Sequence, residues 1–239
     1  MWTPTALASE RRDWRGEGWR VVEAQHRIST NRLAQTAEEQ AQLELLADAV
    51  KPLLPPETRG LHYLLASPFR YGHASASRFR RANERPGIFY AAEAEATAIA
   101  ETAYWQLRFF SRSPGFVPPT TTSEHTSFTV QLATGAALDL TQAPFASDHA
   151  HWTDPVDYTT CQDLAASARE AGVALIRTPS ARDPGQGCNL VVLSPTAFAS
   201  PEPRIRRTWH LRVEDGRLMA LAAFPATERF AFTATQFGL

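Results

Sequence analysis

The sequence predicts an α+β fold in which mixed, largely antiparallel sheets carry flanking helices. Strand-like runs alternate apolar and polar residues, as in Thr126 to Leu132, where Phe128, Val130 and Leu132 share a face. Helix signals interrupt these runs without the regular strand–helix–strand rhythm that builds parallel sheets. Near the C-terminus, Ile205 to Val213 and Leu218 to Phe224 flank Asp215-Gly216, a turn dipeptide that joins antiparallel neighbours.

The elements follow in chain order. Residues 1–18 are polar and read as an N-terminal extension, ahead of one domain over 19–239 that includes the C-terminal hairpin; 239 residues suffice for a single sizeable core. Trp19 to Val22 is a short strand. Thr36 and Glu39 form a capping box that opens a helix with Leu43, Leu46 and Val50 on one face, and Pro52 stops it. Residues 52–60 are a proline-rich connection, and Leu61 to Arg85, with His62, His73 and the run SASRFRR, reads as mostly loop. Ile88 to Ala92 is a strand, and the alanine-rich segment after it is a helix. Pro114 to Thr122 is a loop before the strand over 126–132. Tyr158 to Ala171 is a helix closed by Gly172, packing through Leu164 and Ala168. Val173 to Thr178 and Asn189 to Ser194 are strands. The loop PSARDPGQGC between them is too long for a tight turn, and loops of that kind carry function more often than the elements they join.

Composition excludes several classes. With 24 Lys+Arg against 25 Asp+Glu the net charge is −1, which gives no overall attraction for nucleic acid, and no direct nucleic-acid partner is expected. Lys51 is the only lysine. Arginine suits gripping phosphate or carboxylate, and a GC-rich genome produces the same bias. Cys161 and Cys188 lack metal-ligand spacing, and His149 and His151 lack a third ligand, so no metal is expected. The first residues contain no apolar leader core and no run approaches a membrane span, so a soluble cytoplasmic protein is expected. No Walker or Rossmann glycine pattern occurs.

Within PGIFYAAEAEATAIAETAYW the inward helix stripe is predicted as Ala96, Ile99, Ala100, Ala103 and Leu107. Glu101 falls about 140° from Ala96 at ~100° per residue, on a flank shared with Thr97, Tyr104 and Arg108. A lone glutamate there is ordinarily solvated, and pairing with Arg108 would satisfy it. A tyrosine such as Tyr90 in an apolar strand is ordinarily core, Arg78 in SRFRR ordinarily surface, and Ser180 and Asn189 ordinarily turn residues.

Together these positions resemble the RES domain family, named for an arginine, a glutamate and a serine. The resemblance runs from about Trp19 to about Pro195: Arg78 before Phe79, Tyr90 ending a strand, Glu101 on the following helix, Ser180 after Pro179, and then Asn189. The stretch between Arg78 and Tyr90 is slightly longer than in compact members, and Arg80 or Arg81 can take the arginine's place. The resemblance implies a toxin of a toxin–antitoxin pair that destroys NAD on an ADP-ribosyltransferase-like fold, cleaving the nicotinamide–ribose bond with water or inorganic phosphate as acceptor. It also implies a helix-turn-helix antitoxin as partner, and NAD bound as substrate, with no cofactor.

The chemistry agrees with that pattern. Nicotinamide leaves NAD as a neutral molecule and needs no general acid. The oxocarbenium-like ribose does need a fixed carboxylate, which Glu101 can supply. Tyr90 offers a ring face for nicotinamide or ribose, Arg78 a fork for pyrophosphate, and Ser180 and Asn189 further NAD contacts, with Tyr158 and Gln162 bordering the site. Two other readings stay open, a transferase modifying a macromolecule and a catalytically inactive binding module. Oligomeric state, a homodimer included, is not legible.

Overall fold

The computed structural model describes residues 2–24, 34–113, 115 and 122–239. Eight strands, β1 (Arg12–Glu23), β2 (Phe89–Ala92), β3 (Ser123–Asp139), β4 (Leu175–Pro179), β5 (Cys188–Val192), β6 (Arg204–Glu214), β7 (Arg217–Ala222) and β8 (Arg229–Thr233), are joined in the order β1-β2-β5-β4-β3-β6-β7-β8. The helices are α1 (Pro4–Ser9), α2 (Ala37–Ala49), α3 (Tyr63–Arg70), α4 (Glu95–Ser111), α5 (His149–Trp152) and α6 (Thr159–Glu170). Only β3 and β4 pair in parallel, so the sheet is largely antiparallel, as the sequence predicts.

β3 organises the architecture because it belongs to two structures at once. Along one edge it pairs with β1, which also meets β2 at Trp19 and Ala92, so β1-β2-β5-β4-β3 closes into a ring. Along its other edge, residues 123–129 pair with β6 and residues 137–139 with β4, so β6, β7 and β8 leave the ring as an open flap. A strand buried on both sides needs small or apolar residues on both faces. Phe128, Val130 and Leu132 alternate with the equally buried Ser127 and Thr129. Closure is tight at Gly18, where a Cβ would stand 3.1 Å from the Ala91 Cβ and 3.3 Å from the Leu132 Cδ1.

Helices cover the two halves separately. Ile99, Ala100, Ala103 and Leu107 of α4 pack on Trp209, Leu211, Leu218 and Phe232 of the flap. Leu164 and Ala168 of α6, as predicted, pack with Leu7, Trp152, Ile176 and Val191 on the ring. A cleft remains between the flap-side and ring-side helices.

Several sequence expectations need correction. β1 begins at Arg12 rather than Trp19, and α1, capped by Thr3 and buried at Leu7, packs on α6, so most of residues 1–18 is built into sheet and core. Residues 63–70 form α3 where a loop was expected; His62 caps it and Leu65 and Phe69 anchor it. The capping box at α2 forms, with the Glu39 N–H donating to Thr36 Oγ1 and the Gln35 N–H to Glu39 Oε2. Its apolar face does not pack, since Leu46 and Val50 are exposed. On α4, Ala96 is only half-buried while Thr97 and Tyr104, on the flank of Glu101, are buried. Asp215 and Gly216 turn the last predicted hairpin with positive φ at both residues, and β8 extends it. The predicted loop over 114–122 lies almost wholly outside the described residues. Among the described residues no helix is long and apolar enough to cross a membrane.

The buried Leu7 distinguishes a built-in N-terminus from a dispensable extension. Leu7→Ala should destabilise the protein by about 2–5 kcal/mol in chemical denaturation. An unchanged midpoint would mean that α1 contributes nothing to the core.

Candidate active site

Glu101 meets the ends of two ring strands beneath α4. Antiparallel register sets Asn189, near the start of β5, opposite Ala92 of β2 and Thr178 of β4, and the chain leaves β4 directly into Ser180. Because α4 starts three residues after β2 ends, its second turn hangs over this corner. Ser180 Oγ donates to Glu101 Oε1 at 2.7 Å, and Asn189 Nδ2 donates to the same oxygen. The Ser180 oxygen itself accepts the backbone N–H groups of Arg182 (3.1 Å) and Asp183 (3.0 Å). Its acceptor capacity is used, so its one proton is directed at the carboxylate. Glu101 Oε2 has no hydrogen-bond partner among the described residues and lines the cavity described below.

The loop that presents Ser180 is held by a single carboxylate. Asp183 accepts the Gly185 N–H (2.8 Å), the Gly187 N–H (3.1 Å) and the Thr97 hydroxyl (2.7 Å), the last from α4 one turn before Glu101. Gly187 permits the tight approach, since a Cβ there would lie 2.1 Å from Thr97 Oγ1. Helix and loop are thereby fixed to each other on both sides of the Glu101 contact.

Tyr90 and Arg78 form the opposite wall. The Tyr90 hydroxyl shares a hydrogen bond with Ser77 Oγ (2.9 Å) and accepts the Phe79 N–H (3.2 Å), and burial pushes its phenol above the usual range. Arg78 Nη1 donates to the carbonyls of Trp152 (2.7 Å) and Pro179 (2.8 Å), tying α5 to the end of β4. Of the two alternatives, Arg80 is buried with its guanidinium on the His73, Ser75 and Arg81 carbonyls, and Arg81 lies at the surface paired with Asp163. Arg78 has hydrogen-bonding capacity left over at the cavity. Tyr158 lines the same space and Gln162 Nε2 donates to the Ser77 carbonyl, so both border the site as predicted.

These groups enclose a cavity of about 640 Å³. Its charged wall consists of Arg20, Arg78, Arg80, Arg182 and one carboxylate, Glu101. The sequence reading missed Arg20, Arg182 and Asp183. Arg182 is buried, with its guanidinium 3.7 Å from the centre of the Tyr104 ring and Nη2 donating to the Tyr104 and Tyr158 hydroxyls. Arg182 and Asp183 stand in the very loop singled out for its length, whereas nothing in a four-residue strand reading marked Arg20. Arg108 lies over the Tyr104 and Trp105 rings and makes no ion pair with Glu101. His149 and His151 are exposed on α5, and among the described residues no group of three or more His, Cys, Asp or Glu could hold a metal ion.

Residues 54–214 match the family model described as the RES domain. The chain belongs to the RES domain family. That span includes every residue of the resemblance from Arg78 to Asn189 and excludes β1. No curated protein matches the sequence. A solved structure, the crystal structure of the M. tuberculosis MbcT-MbcA toxin-antitoxin complex, aligns with a TM-score of 0.45 at 15% identity, over 86% of this chain and 92% of that chain.

The Tyr90 hydroxyl carries a fold-level prediction within this RES domain. In Tyr90→Phe the buried Phe79 N–H loses its acceptor, which should cost about 1–3 kcal/mol. Urea denaturation measures this; unchanged stability would mean that the hydroxyl is not needed to hold the Arg78 loop.

Proposed function

We propose that this protein is an NAD-degrading enzyme that breaks the nicotinamide–ribose bond and passes the ADP-ribosyl group to water or inorganic phosphate. The observation that carries the reading is the single carboxylate, Glu101, pinned by Ser180 and Asn189 in a cleft whose other charged walls are arginines. Such a cleft suits a ligand with phosphates at one place and a developing positive charge at another.

As the ribose–nitrogen bond breaks, its electron pair passes to the pyridinium nitrogen and nicotinamide leaves uncharged. The ribose carbon becomes electron-poor, and Glu101 Oε2 supplies the compensating charge. Ser180 and Asn189 hold the carboxylate in place before the reaction, so little reorganisation accompanies bond breaking. The acceptor oxygen then bonds to the ribose carbon, water losing its proton in that step. Tyr90 presents its ring face rather than its tied hydroxyl, and the donors Arg78 has left serve an anionic part of the ligand. NAD is substrate here and no further cofactor enters. The biological role that accompanies this reading is a toxin, restrained by a helix-turn-helix antitoxin encoded beside it.

Glu101→Gln keeps the shape and removes the charge. Nicotinamide release should fall roughly 10²- to 10³-fold while the unfolding midpoint stays close to wild type. A folded variant with near wild-type turnover would reject the assignment. Because the leaving group departs neutral without Lewis-acid help, NAD cleavage should also survive EDTA. Activity lost to chelator and restored by a divalent ion would overturn that expectation.

A further inference from the structure

The four arginines of the cleft differ in what already holds them. Arg80 is bonded to three carbonyls, Arg182 to two hydroxyls and the Pro155 carbonyl, and Arg78 to two carbonyls. Arg20, from β1, donates only from Nη1 to the Tyr90 carbonyl at 2.9 Å, and its guanidinium carbon stands 4.6 Å from the centre of the Phe89 ring. No carboxylate of the described residues pairs with it, and its Nε and Nη2 make no hydrogen bond among them. A guanidinium removed from water without an anion is costly to keep charged. Burial accordingly pulls Arg20 down to about 10 with no opposing anion.

His73 stands beside it at the cavity wall. The charged and titratable groups facing His73 are Arg80 from its own loop, Arg20 from β1, and the Tyr71 ring at 6.2 Å. Partial burial, then Arg80, then Arg20, hold its imidazole below the ordinary value. This wall is basic and carries no carboxylate.

We propose that Arg20 and His73 bind a phosphate of the dinucleotide, whose oxygens fill the open hydrogen-bond positions of the guanidinium, and that His73 takes up a proton as the phosphate docks. The assignment rests on the NAD reading for the ligand's identity. Arg20 lies outside the residues that match the family model, so it rests on this chain's own geometry. An anion between the two groups offsets the repulsion from Arg20 and Arg80 and raises the imidazole from its depressed value. Proton uptake on binding means that affinity increases as pH falls through the bound-state value of His73, and that the gain is absent at higher pH.

Calorimetric titration with ADP-ribose and, separately, adenosine tests the site. Arg20→Met should weaken ADP-ribose about 10- to 100-fold and leave adenosine unchanged, with Arg20→Lys intermediate. Near neutral pH, buffers of different ionisation enthalpy should report net proton uptake for wild type and none for His73→Gln. Equal losses for both probes, or wild-type ADP-ribose affinity in Arg20→Met, would overturn the proposal. If Arg20→Met does not fold, Arg20→Lys decides: ADP-ribose affinity unchanged from wild type rejects the phosphate contact. Arg20-dependent ADP-ribose binding by a protein that leaves NAD intact would sink the NAD-cleavage reading and spare this one. NAD cleavage with an unchanged KM in Arg20→Met would do the reverse.

Discussion

The site depends on one oxygen, Glu101 Oε1, which accepts from Ser180 and Asn189 together. The two donors sit at the ends of neighbouring strands, and the acceptor sits on a helix launched from a third. Their meeting therefore requires correct register across β2, β5 and β4. A one-residue slip of β5 would turn Asn189 to the other face of the sheet and leave the carboxylate with a single partner. The ring closed by β1 and β3 fixes that register, so the most distant pairings in the fold serve the placement of a single side chain.

Much of this corner was legible in the sequence. The offset of Glu101 from the apolar stripe, the tyrosine ending the preceding strand and the length of PSARDPGQGC each marked a residue or segment that the structure brings to one cleft. The flank of Glu101 proved more buried than periodicity implies, with Thr97 and Tyr104 enclosed, because a helix packed on a flap and also bordering a loop has two inward faces. What was not legible depends on partners far away in sequence. Arg12 to Gly18 alternate poorly as a strand because charged residues face outward on a strand paired mainly with β3. α3 was hidden by Pro68 and by histidine and serine neighbours, although His62 caps it and Phe69 buries fully. The leucines of α2 obey helical spacing and still remain outside the core, so periodicity located that helix without locating its contacts.

Arginine usage acquires a physical meaning once the cleft is formed. Lysine offers a compact charge on a mobile stem, whereas a guanidinium can bind two carbonyls with one nitrogen and still present a charged edge elsewhere. Arg78 does this between Trp152 and Pro179, and Arg182 does it while stacked on Tyr104. The cleft's positive charge is thereby carried by groups that also hold its walls together. A nearly neutral chain can in this way keep a strongly basic interior surface, which composition alone does not reveal.

The same dual use limits how the site can change. Tyr90 spends its hydroxyl on the loop that carries Arg78, and Asp183 spends its carboxylate on the loop that carries Ser180. Ligand-facing groups are thus supported by a layer of contacts in which each member has one structural partner set and no spare capacity. Substitution in that layer moves the first set of residues rather than removing it, so its cost falls on the geometry of Glu101 and Arg78 before it falls on the charge of the cleft. Arg20 stands apart because a single carbonyl holds it, and its remaining donors are free to answer to a ligand.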